Sequence, residues 1–202
     1  MRNHVNKMAA SWVLAAGCLA QFAGAQAPAA PAAPAAPAAP GAPAAPASNV
    51  VANPTYASIP LEIMVNRPAA EVWKRVGKYC DIGEWLQVAC TITSGKDGEV
   101  GTVRSIGGEI LVGKTELSYT YTQPVRAGRP YNLYHGTLEA RPVTATTSKL
   151  VYTLLFDNSM LADDAAREKD KTQKTAVFTR ALENMKILAE GGTLPPAPPR
   201  GR

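Results

Sequence analysis

The chain has 202 residues and a formal net charge of +5. Residues 26–48 hold 13 Ala and 7 Pro in 23 positions, and 193–202 add four prolines and two arginines, so the foldable remainder is roughly 140 residues, enough for one core. A two-domain enzyme is excluded. The charge falls to +3 without Arg2 and Lys7 and to +1 without Arg200 and Arg202. A basic excess confined to the ends, with no aromatic-studded patch, argues against a nucleic-acid partner. His4 and His135 are the only histidines, which rules out multi-histidine zinc, HExxH and two-histidine iron sites. The G-x-S-x-G, P-loop and G-x-G-x-x-G patterns do not occur, so neither a metal nor a cofactor is expected.

At the start of the chain, Arg2 and Lys7 precede an uncharged, mostly apolar stretch, Met8–Ala25, that ends in Ala23-Gly24-Ala25. This reads as a signal peptide (1–25) cleaved after Ala25, placing the protein in the periplasm or outside the cell without a membrane span in the mature form. Ala15-Ala16-Gly17-Cys18 resembles a degenerate lipoprotein box, which leaves lipidation at Cys18 as the alternative. Residues 26–50 are expected to be a disordered, polyproline-rich tether spanning roughly 60–70 Å. Residues 51–192 form the domain, and 193–202 a disordered Pro-rich tail. Export gives Cys80 and Cys90 a reason to pair as one structural disulfide, closing a short loop with a gain of about 2–3 kcal/mol.

Ile59, Leu61, Ile63 and Val65 alternate over 57–65, a half-buried first strand. Asn66 is placed to cap a helix that Pro68 opens, with Val72, Trp73, Val76 and Tyr79 at helical spacing, and Asp81 to cap a short second helix over Ile82–Leu86. β pattern then runs to Asp157. The Ser94–Gly98 turn predicts a hairpin, Gly107-Gly108 predicts a two-residue turn, and strands follow at 109–113, 117–123, 131–143 and 148–157. Consecutive hairpins imply an antiparallel sheet of seven strands. One long helix, about 162–189, closes the chain. Asp163 and Asp164 sit at its N-terminus, Gly191-Gly192 follows its end, and its apolar stripe comprises Val177, Phe178, Ala181, Leu182, Met185 and Leu188. A bent sheet wrapped on this helix satisfies that order, in the α+β class.

The segment LEIMVNRPAAEVWKRVGKYCDIGEWL resembles the opening of the SRPBCC superfamily (START, Bet v 1-like, polyketide cyclase/dehydrase-like). GEVGTVRSIGGE is similar to that family's second hairpin, and YHGTLEARPV with SKLVYTLLF to its last two strands. The likeness spans nearly all of 57–190. It implies a helix-grip fold, a seven-stranded curved antiparallel sheet around a long C-terminal helix, enclosing a cavity. Residues 112–118 are shorter than the family's usual connection, which leaves strand register there open. The mononuclear iron site of the ring-hydroxylase branch has no counterpart.

Strand parity selects the residues facing that cavity. Tyr119, Tyr121, Tyr134, Leu138, Tyr152 and Leu154 fall inward, joined from the long helix by Phe178, Leu182 and Met185. Trp85 is placed at the cavity mouth and Trp73 in the core. Arg104 either points inward to anchor an anionic head group or projects to solvent. His135 falls outward, a weak candidate for proton transfer, and Glu62, Glu109 and Glu116 show no acid/base pairing. A buried phenol needs a polar partner, so four inward tyrosines suit a hydroxyl or carbonyl on an amphipathic ligand. These features point to an exported carrier or binder of a small hydrophobic or amphipathic molecule rather than an enzyme, with the oligomeric state left open and a monomer favoured. The alternatives are a metal-free cyclase or dehydratase using the tyrosines with His135 or Arg104, and a tethered interaction module, which a side-chain-filled interior would favour.

Overall fold

In the computed structural model, which describes residues 51, 53–125 and 131–197, β1 (Tyr56–Val65) lies at one edge of the sheet and pairs only with β7 (Ser148–Asp157). Pro60 is tolerated within β1 because an edge strand needs only one row of its N–H groups for the ladder. The chain then leaves the sheet for α1 (Ala69–Val76) and α2 (Ile82–Trp85). It returns as β2 (Ile92–Ser94), β3 (Val103–Arg104), β4 (Glu109–Lys114), β5 (Ser118–Thr122), β6 (Tyr134–Pro142) and β7, and ends with α3 (Asp164–Ala189). The sheet order is β1-β7-β6-β5-β4-β3-β2, antiparallel throughout. This is the seven-stranded curved sheet gripping one long helix that the element order implied. Register shifts between Ile92 and Ser94 and between Leu111 and Gly113 interrupt the ladder in its second half, the kind of irregularity that bends a strand and adds twist. The second lies in the segment whose register the sequence left open.

Several local expectations are corrected. Pro68, not Asn66, occupies the start of α1, its carbonyl accepting from Glu71 and Val72 N–H, while the Asn66 N–H donates to Glu190 Oε1 at the far end of α3. The Asp81 carboxylate accepts from the Lys78 N–H and makes no bond into α2. Asp163 does cap α3, accepting from the Ala166 N–H at 2.7 Å. Val177 lies 48% exposed beside the apolar stripe of Phe178, Ala181, Leu182, Met185 and Leu188. Cys80 and Cys90 are joined, and the loop they close contains the whole of α2. The expected signal peptide, Cys18 and the expected tether over 26–50 lie outside the described residues, and the expected tail does so from residue 198 onward.

Cross-strand register sets the inner face. Ile59, Leu154, Gly136, Tyr121 and Leu111 form one row across β1, β7, β6, β5 and β4; Tyr152, Leu138 and Tyr119 form the next; and Phe156 stands opposite Tyr134. Gly136 is required in its row. A Cβ there would lie 2.3 Å from the Tyr121 ring, so the missing side chain is the space that ring occupies.

Candidate functional site: a tyrosine-ringed arginine and its flanking pockets

Arg104 of β3, next to the edge strand β2, is fully buried on the inner face. Its Nε donates to Glu109 Oε2 at 2.6 Å, Nη2 lies 2.5 Å from the same oxygen, and Nη1 donates to the Tyr79 carbonyl at 2.7 Å. Gln123 Nε2 donates to the other Glu109 oxygen at 2.9 Å. The rings of Tyr79 and Tyr121 face the guanidinium at 4.3 and 4.6 Å, and that of Tyr119 lies at 5.8 Å, distances at which a ring quadrupole attracts a cation. Burial opposes the arginine's charge, but its acidic neighbours, of which Glu109 is the one charged at ordinary pH, outweigh it and hold the guanidinium above its ordinary range. The inward position of Arg104 is therefore settled, and its role changes: Glu109 already neutralises it, so it is not a free anchor for an anionic head group.

The pair escaped the sequence reading because of the β3–β4 connection. A two-residue turn at Gly107-Gly108 would set Arg104 opposite Leu111. The observed connection is four residues, Ser105–Gly108, with both glycines at positive φ, and it sets Arg104 opposite Glu109 on the inner face.

Around this pair the predicted aromatics come together. Tyr121 and Tyr152 join hydroxyls at 3.0 Å. The Tyr152 ring touches Phe178 at 4.7 Å and meets Trp85 edge-on at 6.2 Å, and Tyr134 stacks on Phe156 at 5.9 Å. Leu138, Leu154, Leu182 and Met185 are fully buried core beneath them. Burial raises Tyr79, Tyr119, Tyr121, Tyr131, Tyr134 and Tyr152 above the usual phenol range, so all six are neutral donors at ordinary pH. The interior beside Arg104 is thus packed with aromatic rings.

Among the described residues, three pockets open to the surface around this interior. The largest, about 490 Å³, lies between the end of α1 and the β4–β5 hairpin, with Trp73, Tyr79, Leu111 and Tyr119 as its apolar lining and Lys78, Lys114, Asp97 and Glu116 among its polar residues. Trp73 is half-buried here and packs on Tyr119 at 5.6 Å, whereas Trp85 is fully buried, the reverse of the expected assignment. Gly77 lets the indole lie back over the end of α1, since a Cβ would sit 2.4 Å from it. The Tyr79 and Tyr119 hydroxyls are buried and make no hydrogen bond of good geometry. A second pocket, about 270 Å³, lies between α3 and the β5–β6 side at Gln123, Tyr134 and Phe178, where the Tyr131 hydroxyl donates to Asp170 Oδ1 at 2.5 Å and Lys174 pairs with the same oxygen at 2.6 Å. The third, about 330 Å³, lies between α2 and α3. His135 is half-buried on the outer face, apart from the phenols. Among the described residues no cluster of His, Cys, Asp and Glu is arranged to hold a metal ion, and no helix is long and apolar enough to cross a membrane.

Sequence reasoning missed Trp73, Tyr79, Glu109 and Gln123 as members of the site. Only the loop length after Arg104 carried a signal for Glu109.

Fold and site together define a helix-grip protein with an aromatic interior and pockets of ligand size. The chain belongs to the family described as polyketide cyclase/dehydrase and lipid transport, whose model matches residues 56–190. Among solved structures it is similar to a protein from Thermobifida fusca determined by solution NMR, at 25% identity and TM-score 0.56, covering 67% of this chain and 95% of that one. It also shares its fold with the Zhui aromatase/cyclase of Streptomyces sp. R1128 (18% identity, TM-score 0.53, covering 69% and 100%) and with norcoclaurine synthase from Thalictrum flavum (12%, 0.54, 71% and 99%). No curated protein matches the chain significantly. A fold of this family supports ligand binding or cyclase-like chemistry in general.

Proposed function

We propose that the protein is exported to the periplasm or beyond and binds or transfers a small neutral amphipathic molecule, such as a quinone, a hydroxylated aromatic or a lipid fragment. The pocket at Trp73, Tyr79 and Tyr119 is its site. One observation supports this above others: two buried phenol hydroxyls without good hydrogen bonds lie along the largest described pocket. Buried polar groups are rarely left so, and a carbonyl or hydroxyl on a ligand satisfies them. The polar lining pairs two lysines with two carboxylates, a balance that favours a neutral guest over an ion. Trp73 offers a flat face to a ring.

The phenols' raised pKa values support binding over proton abstraction, and His135 stands on the other face of the sheet. The packed interior around Arg104 also suits a tethered interaction module, but unsatisfied hydroxyls beside an open pocket favour a ligand. The test is non-denaturing mass spectrometry, with organic extraction, of the chain isolated from a host that exports it. A bound neutral small molecule, lost or weakened in Tyr119→Phe, is expected. Protein that carries nothing, and whose fluorescence menadione quenches equally in wild type and Y119F, overturns the reading. N-terminal sequencing should begin at Gln26.

A further inference from the structure

The pocket between α2 and α3 is distinct from the tyrosine pocket in lining and in charge. Trp85, Leu86 and Val88 from the α2 side face Val177 and Ala181 of α3, giving about 330 Å³ of mostly apolar space, within the roughly 300–1,000 Å³ of small-molecule sites. Three polar groups of its lining bear on what it can hold. The Trp85 indole is fully buried, and its N–H has no hydrogen-bond partner. Arg180, also in the lining, forms no ion pair or side-chain hydrogen bond among the described residues. Asn184, the third, is already engaged, its amide donating to the Trp85 carbonyl at 2.8 Å. Both unused groups are donors, and one is a cation.

The chain's own end completes the pocket. After α3 the backbone runs back across α2: Leu194 packs on the core, the Pro195 carbonyl accepts from Gln87 Nε2 at 2.8 Å, and Ala197 contributes to the pocket wall. Gln87 supports this contact from a left-handed backbone, φ 56, the one such non-glycine residue among those described, a conformation that persists only where its surroundings hold it.

We propose that this pocket is a second ligand site, for a carboxylic acid with an apolar body such as a medium-chain fatty or arylalkanoic acid. Arg180 holds the carboxylate, the Trp85 N–H reaches an acceptor on the guest, and the segment Leu194–Ala197 forms one wall. The two unused donors, one of them a cation, match an acid and disfavour an amine. Prolines 195 and 196 stiffen that wall, so little entropy is lost when a guest packs against it.

The experiment titrates decanoate, decanol and decylamine, below their aggregation limits, into the ¹⁵N-labelled full chain. The indole resonances are assigned through Trp73→Phe, with Trp12→Phe added where residues 1–25 are retained. Decanoate should move the Trp85 indole resonance and decylamine should not. Arg180→Gln, a partly exposed position that leaves the fold intact, should weaken decanoate by about tenfold and leave decanol unchanged. Ending the chain at Gly192, or Gln87→Gly, which keeps the backbone conformation but frees Pro195, should weaken both by several-fold. A Trp85 resonance that ignores decanoate, or an R180Q chain that binds it as wild type does, overturns the proposal. Tyr119→Phe separates this site from the other: decanoate binding lost in Y119F but retained in R180Q puts the acid in the tyrosine pocket and sinks the second site alone.

Discussion

At the residue scale the energetics centre on Arg104 and Glu109. Removing two charges from water costs several kcal/mol per ion, and only good geometry with further hydrogen bonds offsets it. Here the geometry is present: two contacts to one carboxylate oxygen, the Tyr79 carbonyl on the other side, Gln123 on the second oxygen and two rings over the guanidinium. The pair is therefore strongly coupled. Arg104→Met leaves the Glu109 carboxylate buried without its cation and should cost about 3–5 kcal/mol, read as a lower urea midpoint. The double substitution with Glu109→Leu should recover much of that loss, because neither charge then remains to be desolvated. A double-mutant cycle measures the coupling directly, and an interaction energy near zero would mean the pair does not organise the interior. Which residue faces Arg104 was not legible in the sequence, because register across a glycine loop turns on one or two residues of loop length and each shift exchanges the partner.

At the element scale, the strands and the long helix were legible because their signals are redundant. Period-2 alternation placed Tyr119, Tyr121, Tyr134 and Tyr152 inward, and the burial alternation of β5, β6 and β7 agrees at each of them. The one-turn helix α2 was not readable in the same way. Four residues span little more than a turn, so no periodicity decides which side of Trp85 is covered, and its burial comes from α3, Tyr152 and the disulfide loop together. α2 therefore depends on its staple. Cys80→Ser with Cys90→Ser should lower stability by about 2–3 kcal/mol and speed amide exchange in 80–90 more than in β7. Equal acceleration everywhere would show that α2 is held by packing alone. The β5–β6 register makes a separate prediction. Gly136→Ala puts a Cβ inside the Tyr121 ring, so that ring must leave its place and its bond to Tyr152. A loss of about 1–3 kcal/mol is expected, with a changed near-ultraviolet circular dichroism spectrum; an unaltered spectrum would refute the clash.

On the scale of the whole molecule, the phenols tie the fold to pH. Tyr79, Tyr119, Tyr121, Tyr131, Tyr134 and Tyr152 are all shifted upward, with burial the leading cause in each. An unfolded tyrosine ionises near pH 10, so above that pH the unfolded chain releases protons that the folded chain retains. Stability from these groups is thus complete below about pH 10 and declines as pH rises toward the folded values, by about 1.4 kcal/mol per pH unit for each proton released. Several phenols act together, so the decline should be steep. The urea midpoint should hold level from pH 8 to 9.5 and then drop, and absorbance at 295 nm should rise in the same narrow interval in which far-ultraviolet circular dichroism is lost. Each of the six is linked to others through ring contacts, a shared hydroxyl bond or the field of Arg104, so exposing one removes support from the rest. A gradual phenolate signal near pH 10 with the fold intact would mean that the tyrosines reach water independently, and the interior would then be an open chamber instead of a packed arginine cage.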